Sequence, residues 1–339
     1  MFLDRKLCID LGSDTIKIYD NKTDMYDVEK DIAAVYKRTN IIAVGNEAYE
    51  MLDMVPKSIK LNVPITSGRI SDVMHVESLL HYILFSKLRI LSLTADLYFS
   101  VPPDMTEIER RAYASISKRG KLKNCDIYLI EKPYADAAGM DVDITRTRGS
   151  MILNIGDMNA DLAVIADKRI ILNRSLPLAG RRINEAIISS VRNKNRLSVS
   201  YKTADDLKQQ LATLEPNALP GGVMASGVDT GSGLPRDGYV SSGAVCGALR
   251  SIADELVVEI KSFLERTPPQ ILDYVLADGI SLAGGTSKIP GLADYLSEAL
   301  NCPIKVSPKH ERTTLVGLRK ICSDANYASF IKPASGKGK

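Results

Sequence analysis

The sequence predicts a two-domain α/β protein built on a duplicated unit, with a cleft between its halves suited to a nucleotide. Three observations lead there. A chain of 339 residues is too long for one ordinary core and suits two domains of about 150 residues each. A strand–turn–strand pattern near the start recurs 144 residues later, about half the chain length. Three glycine-bearing turns then follow one another in an order that suits phosphate binding.

The first pattern is Leu7-Cys8-Ile9-Asp10-Leu11-Gly12, then Ser13-Asp14, then Thr15 to Tyr19 with alternating apolar residues. It reads as a β-hairpin turning at Gly12–Asp14. The second runs from Met151 to Gly156, turns at Asp157–Ala160 and continues from Asp161 to Ile165. Superposed, Asp10 meets Asn154 and Gly12 meets Gly156, which predicts two related α/β halves.

Helix signals fall between and after the hairpins. Ser71-Asp72 caps a helix with Val76, Leu79, Leu80, Ile83 and Leu84 on one face. Thr106-Glu107-Ile108-Glu109 is a capping box, and its helix runs until Gly120 stops it. Thr203-Ala204-Asp205-Asp206 caps a third helix. Ser241 or Ser242 starts a fourth, carrying Leu249, Ile252, Leu256, Ile260 and Leu264 until Pro268-Pro269 ends it. Residues 216–235 are rich in Gly, Pro and Ser and read as a loop region.

Composition narrows the function. Apolar residues at 45% and charged residues at 25% fit a soluble globular protein, and a net charge of +3 gives no reason to expect nucleic acid as partner. Cys8, Cys125, Cys246, Cys302 and Cys322 lack CxxC spacing and read as reduced core thiols. The three histidines have no neighbour at metal-ligand spacing. No stretch reaches the ~18 apolar residues that span a bilayer, and Met1 to Lys6 lacks the apolar run of a signal peptide. Pro333 to Lys339 reads as a frayed tail.

Phosphates need several backbone N–H donors converging on one point, which glycine turns permit. Asp10, Gly12, Ser13, Asp14 and Thr15 supply one such turn, with Asp10 placed to hold a magnesium-bound water. The Gly156 hairpin, with Asp157 and Asn159, is its candidate counterpart. The third loop is Ile280 to Ser287, a strand ending in Gly284-Gly285-Thr286, where a flat ligand meets backbone without side chains.

These motifs resemble the MreB family. The resemblance is carried by Asp10 to Ser13, Ala43 to Ala48, Val101-Pro102-Pro103 through Ala112, Ile130-Glu131-Lys132-Pro133 and Gly180-Arg181-Arg182-Ile183-Asn184-Glu185-Ala186-Ile187. Thr230-Gly231, Gly233-Leu234-Pro235 and Glu265-Arg266-Thr267-Pro268-Pro269 through Asp278-Gly279-Ile280 and Gly284-Gly285 extend it, in register from about residue 7 to 322. It implies an actin-like fold of the actin/Hsp70/hexokinase superfamily, with domain IA at 1–31 and 71–149 and subdomain IB at 32–70. Domain IIA falls at 150–180 and 241–326, subdomain IIB at 181–240, and a disordered tail at 327–339. It implies ATP or GTP with Mg2+ in the cleft. It also implies filaments, as a homopolymer or a copolymer with another MreB. These lie in the cytoplasm on the inner face of the cell membrane, with shape-complex membrane proteins as partners in cell-wall synthesis.

Departures from the family pattern bear on hydrolysis. Where the family's second loop reads Asp-Ile-Gly-Gly-Gly-Thr-Thr-Glu, this chain has Asn154-Ile155-Gly156-Asp157-Met158-Asn159-Ala160-Asp161. Asn154 weakens a magnesium site, Asp157 brings a negative charge towards phosphate unless a cation intervenes, and Asn159 replaces a water-positioning threonine. Lys132 stands where the family has a carboxylate that organises water; a lysine cannot do so, although it can bind phosphate. Hydrolysis is therefore expected to be residual at most, with no confident catalytic residue. Lys17 reads equally as a phosphate contact or an outward-facing strand lysine. Asp205 and Lys208 match family positions near the ribose and base, the other reading being a surface pair worth about 0.2–0.5 kcal/mol.

Ile90, Leu91 and Leu93, flanked by Lys87 and Arg89, read as a membrane-inserting loop, with Met1-Phe2-Leu3 as a second anchor too short for an amphipathic helix. The competing class is a non-polymerising actin-fold adaptor of the division or pilus type. A sugar or acetate kinase of the same superfamily lacks a convincing catalytic base here.

Overall fold

The computed structural model describes residues 5–37, 40–52, 54–90, 94–118, 120–145, 147–218 and 221–335. The chain divides into two units, residues 1–143 with 312–339, and residues 144–311.

The first unit is built on a six-stranded sheet in the order Lys332–Pro333, Asp126–Glu131, Asp96–Val101, Lys6–Leu11, Thr15–Asp20, Met25–Lys30. Lys6–Leu11 pairs antiparallel with Thr15–Asp20, which places Asp10 opposite Lys17. It pairs parallel with Asp96–Val101 on its other side. Its central strands Lys6–Leu11, Thr15–Asp20 and Asp96–Val101 are buried along nearly their whole length, as strands covered on both faces are. Leu7, Ile9, Ile16, Ile18, Leu97 and Phe99 form a core with Val76, Leu79, Leu80, Ile83 and Leu84.

Two helix starts follow the sequence signals. The Asp72 carboxylate accepts from the backbone N–H groups of Met74 and His75 and opens the Val73–His81 helix. Thr106 and Glu109 close a reciprocal capping box on the Glu107–Ile116 helix.

The membrane reading of residue 90 is corrected. After a π-helical turn at Tyr82–Lys87, Leu88 and Ile90 turn inward, and Ile90 is only 3% exposed within the first core. Lys87 meanwhile pairs with the buried Glu29 at 3.1 Å. An apolar side chain already removed from water gains nothing by entering lipid. Leu91, Leu93 and Met1-Phe2-Leu3 lie outside the described residues.

The C-terminal boundary also differs from the expected one. Residues 312–326, placed in domain IIA by the sequence, pack within the first unit: the Thr313–Ser323 helix lies on the Lys132–Gly139 helix. A Cβ at Gly317 would overlap the Ala135 carbonyl oxygen, so only glycine permits this approach. The expected disorder from residue 327 is overturned for 327–335. Phe330 is buried with its ring 4.4 Å from that of Tyr134, and Lys332–Pro333 adds an edge strand to Asp126–Glu131.

Residues 33–62 carry a small sheet, Ala33–Tyr36 between Asn40–Val44 and Ile59–Asn62, over its own apolar cluster of Ile32, Ala34 and Ala48.

The second unit repeats the plan of the first. Its five strands run Arg169–Leu176, Ala160–Ala166, Ser150–Ile155, Ile280–Ala283, Ile304–Val306. In both units an antiparallel three-strand meander is followed by two parallel strands. Asn154 pairs with Asp161 as Asp10 pairs with Lys17, both seven residues apart. Ile183, Ile187 and Val191 of the Gly180–Asn195 helix join Leu249, Ile252, Leu256 and Ile260 of the Ser242–Glu265 helix in one core.

Two readings in this unit shift. The third helix is capped by Ser200, whose hydroxyl accepts from Thr203 N, so Thr203 sits inside the Tyr201–Leu211 helix. The glycine-rich segment contains a strand, Gly222–Asp229, paired along its length with Pro235–Ser241. Close backbone pairing explains the glycines: a Cβ at Gly227 would come within 2.6 Å of the Ser198 carbonyl oxygen.

Candidate functional site

In the first unit the hairpin brings Asp10 and Lys17 to the mouth of the sheet. Asp10 is 5% exposed and Lys17 is 6% exposed, so Lys17 does not face outward. Its Nζ lies 3.3 Å from Asp10 Oδ2, while Ser100 Oγ donates to Asp10 Oδ1 at 2.7 Å. Burial works against ionisation of Asp10, but the Lys17 and Lys132 cations, with the Ser100 hydroxyl, outweigh it. They hold its carboxyl below the usual carboxylate range. The carboxylate thus pairs directly with Lys17 and also feels the Lys132 charge.

The turn beside them is tight. Gly12 N donates to the Thr15 carbonyl at 3.1 Å, and a Cβ on Gly12 would come 2.8 Å from that oxygen. Ser13 Oγ accepts from Gly68 N at 3.4 Å, and Asp14 pairs with Lys30 at 2.7 Å. Lys132 begins the Lys132–Gly139 helix, and Glu131 beside it pairs with Lys332 at 2.6 Å.

In the second unit three loops meet. Thr286 Oγ1 donates to the Gly156 carbonyl at 2.8 Å. Gly180 N donates to the same carbonyl at 3.1 Å, and Arg181 N donates to the Asp157 carbonyl at 2.6 Å. Gly284 has φ +93°, and a Cβ there would overlap the Ile155 carbonyl oxygen, so this crossing requires glycine. Gly285 carries no such demand, its Cβ position making only ordinary contact with Glu311.

Asp157 does not act as an uncompensated charge. Arg181 Nη2 lies 3.2 Å and Nε 3.3 Å from its Oδ2, and Tyr201 Oη donates to Oδ1 at 3.3 Å. Asn159 Nδ2 donates to Ser175 Oγ at 2.7 Å, and Ser175 in turn donates to Asp161 at 2.6 Å.

The helix pair 180–195 and 201–211 carries a second group. Lys208 Nζ lies 2.7 Å from Asp205 Oδ1, Asn184 Nδ2 donates to the same oxygen at 3.0 Å, and Gln209 donates to Oδ2 at 2.8 Å. Burial raises the Asp205 pKa, but Lys208 and the amide donors more than reverse this and keep it ionised. Asn184 is fully buried, and its Oδ1 accepts no hydrogen bond from any described residue. A buried acceptor left open costs about 1–3 kcal/mol, which a ligand hydroxyl would recover.

Sequence reasoning named most of these positions but missed Ser100, Arg181, Asn184 and Tyr201. Asn184 left a signal, a lone amide in the Ile183/Ile187/Val191 stripe. Arg181 was visible only as part of a family motif. Tests of the implied groups come out differently for nucleotide and metal. Polyphosphate fits the cations of the first unit, and a sugar hydroxyl fits Asn184. Magnesium does not fit: it needs a set of oxygen ligands, yet both Asp10 oxygens are engaged and a lysine ammonium sits against one. No group of three acidic, His or Cys side chains able to hold a metal occurs among the described residues.

Comparison with known proteins defines the class first. The chain has the actin-like fold: it superposes on MreB5 of Spiroplasma citri bound to ADP with TM-score 0.87 and 25% identity, covering 94% of this chain and 96% of that one. A filament structure of MamK superposes with TM-score 0.77 at 18% identity over 95% of this chain and 99% of that one. The chain belongs to the MreB/Mbl protein family, whose profile matches residues 4–329. It is 31% identical to the cell shape-determining protein Mbl of Bacillus subtilis over 89% of this chain and 91% of that one. It is 26% identical to the cell shape-determining protein MreB of Escherichia coli over 89% and 88%.

Proposed function

We propose that this chain is a filament subunit acting in cell shape, which binds ATP or GTP through these loops and hydrolyses it slowly or not at all. The observation that carries the reading is the buried Asp10–Lys17 pair at the Gly12 turn, with the Lys132 charge acting on the same carboxylate. Phosphate oxygens accept charge-assisted hydrogen bonds from ammonium and backbone N–H groups of such a turn. Support for the ligand class comes from the orphaned Asn184 oxygen and from the ADP carried by MreB5.

Loss of hydrolysis follows from what occupies the expected water-organising positions. Lys132 is a cation and cannot accept a proton from water, and the Asn159 amide is turned onto Ser175. Glu131, the remaining acid of that motif, is tied to Lys332. Nucleotide would then stabilise an assembled state without timing its end.

Filament formation, whether alone or with another MreB, rests on the family relationship. So does association with shape-complex proteins and with the inner membrane surface, for which Ile90 is not the anchor. Purified protein tested by pelleting and electron microscopy, with phosphate release followed in parallel, checks the reading. Nucleotide-dependent filaments releasing far less than one phosphate per subunit are expected. Full turnover during assembly would contradict the lost hydrolysis, and absence of assembly with any nucleotide would favour the adaptor class.

A further inference from the structure

We infer that Cys8 and Cys322 form a reversible redox staple, a disulfide that hydroperoxide closes between the first strand and the Thr313–Ser323 helix near the end of the chain. Its closure needs no nucleotide.

Two packed elements bring the sulfurs together. On Lys6–Leu11, the side chains of Leu7, Ile9 and Leu11 enter the first core, which leaves Lys6, Cys8 and Asp10 on the opposite face. The Thr313–Ser323 helix packs on this strand. Lys6 Nζ donates to the Cys322 carbonyl at 2.7 Å, one of the last carbonyls, which a helix leaves without an internal partner. The strand thus grips the end of the helix. Cys8 Sγ lies 3.7 Å from Cys322 Sγ, although the two residues are 314 apart in sequence. Both are buried, at 1% and 6% exposure. A disulfide holds its sulfurs about 2 Å apart, and rotation about the Cα–Cβ bonds can close the difference. Cys246 and Cys302 are instead turned onto the backbone carbonyls of Leu211 at 3.3 Å and Val275 at 3.9 Å.

At rest the pair is reduced and slow to react. Contact with Cys8 and burial both push the Cys322 thiol up, so it stays protonated at neutral pH. Cys322 is followed by exposed Ser323 and Asp324, so fraying of this helix end admits a small oxidant. The ionised Cys322 sulfur then attacks one peroxide oxygen, the O–O bond breaks, and hydroxide leaves a sulfenic acid behind. On reclosure the Cys8 thiolate attacks that sulfur, forms the S–S bond and expels a second hydroxide. The hydroxides take up the two thiol protons. Two thiols and one hydrogen peroxide thereby become one disulfide and two waters. The bond closes a loop across almost the whole chain, the arrangement in which a cross-link constrains the unfolded state most.

Treatment of the purified full chain with hydrogen peroxide, followed by alkylation in denaturant and peptide mapping by mass spectrometry, tests this. The expected product is a single chain lighter by two hydrogens, with the Cys8 and Cys322 peptides joined. Its thermal midpoint should rise by at least about 4 °C, and dithiothreitol should reverse both changes. Cys246→Ser should form the same link, whereas Cys8→Ser should lose the link and the shift together. The map of the unmodified chain decides the matter even if Cys8→Ser does not fold. Oxidation that leaves Cys8 and Cys322 unlinked, or that joins either to another cysteine or another chain, overturns the inference. A Cys8–Cys322 link that leaves the midpoint unchanged also overturns it, because the bond would then not staple the fold.

Discussion

Arg181 lays its guanidinium on Asp157, with Nε and Nη2 3.3 and 3.2 Å from one carboxylate oxygen. The acid stands in the turn after Gly156, where an unpaired charge would repel phosphate oxygens. The arginine comes from the first turn of the helix whose backbone already binds that turn. Acid and base are therefore held as one neutral unit.

This pairing makes a double-variant test decisive. Arg181→Ala should raise the nucleotide dissociation constant about ten-fold by exposing the Asp157 charge. Adding Asp157→Asn should restore most of the loss, because no charge then remains to be neutralised. Calorimetric titration of the two single variants and the double variant measures the coupling.

Acid stability is set in part by Asp20. Its buried carboxylate accepts from Arg5 Nε at 3.1 Å, Lys22 N at 3.0 Å and Thr23 Oγ1 at 2.8 Å. Burial opposes its ionisation, but Arg5, Lys22 and Thr23 outweigh this and depress its pKa in the folded state. A depressed carboxylate contributes stability that is fully present above its unfolded value of about 3.9 and is lost as pH falls through the folded value. Urea unfolding from pH 7 to pH 3 should show stability falling below about pH 4. Asp20→Asn should be less stable at pH 7 and show a shallower acid slope.

Gly317 supplies a packing test. In an open helix, alanine would gain about 1 kcal/mol over glycine. Here a Cβ would overlap the Ala135 carbonyl oxygen of the neighbouring helix. Gly317→Ala should therefore destabilise the protein by about 1–3 kcal/mol in urea unfolding. Gly243→Ala is the control. Its Cβ would have only Ser241 Oγ nearby, at 4.0 Å, and it should be neutral or mildly stabilising.

Much of the fold was legible where local signals and burial agree. The two hairpins, the Thr106–Glu109 capping box and the Asp72 cap each specify their own geometry within a few residues. What was not legible depends on distant partners. The strand at Gly222–Asp229 exists because Pro235–Ser241 pairs with it, against a composition that reads as loop. The tail is ordered because Phe330 meets Tyr134 and Lys332 meets Glu131, about 200 residues away in sequence. Ile90 carries an amphipathic-looking neighbourhood, yet the turn after Lys87 sends it inward.

Site residues divide in the same way. Asp10, Gly12 and Gly284 were readable because the glycine turns need them. For Lys17 the sequence left two roles open, and only the register that sets it opposite Asp10 buries it. Ser100 and Arg181 reach their partners from 90 and 24 residues away, separations that no spacing rule connects.

The most direct test of the central claim is equilibrium binding of ATP and GTP to the purified protein, followed by fluorescence or calorimetry. Micromolar binding is predicted, with Lys17→Met markedly weaker. Absence of binding up to millimolar nucleotide would contradict the account, leaving the actin-like fold as a passive subunit or adaptor.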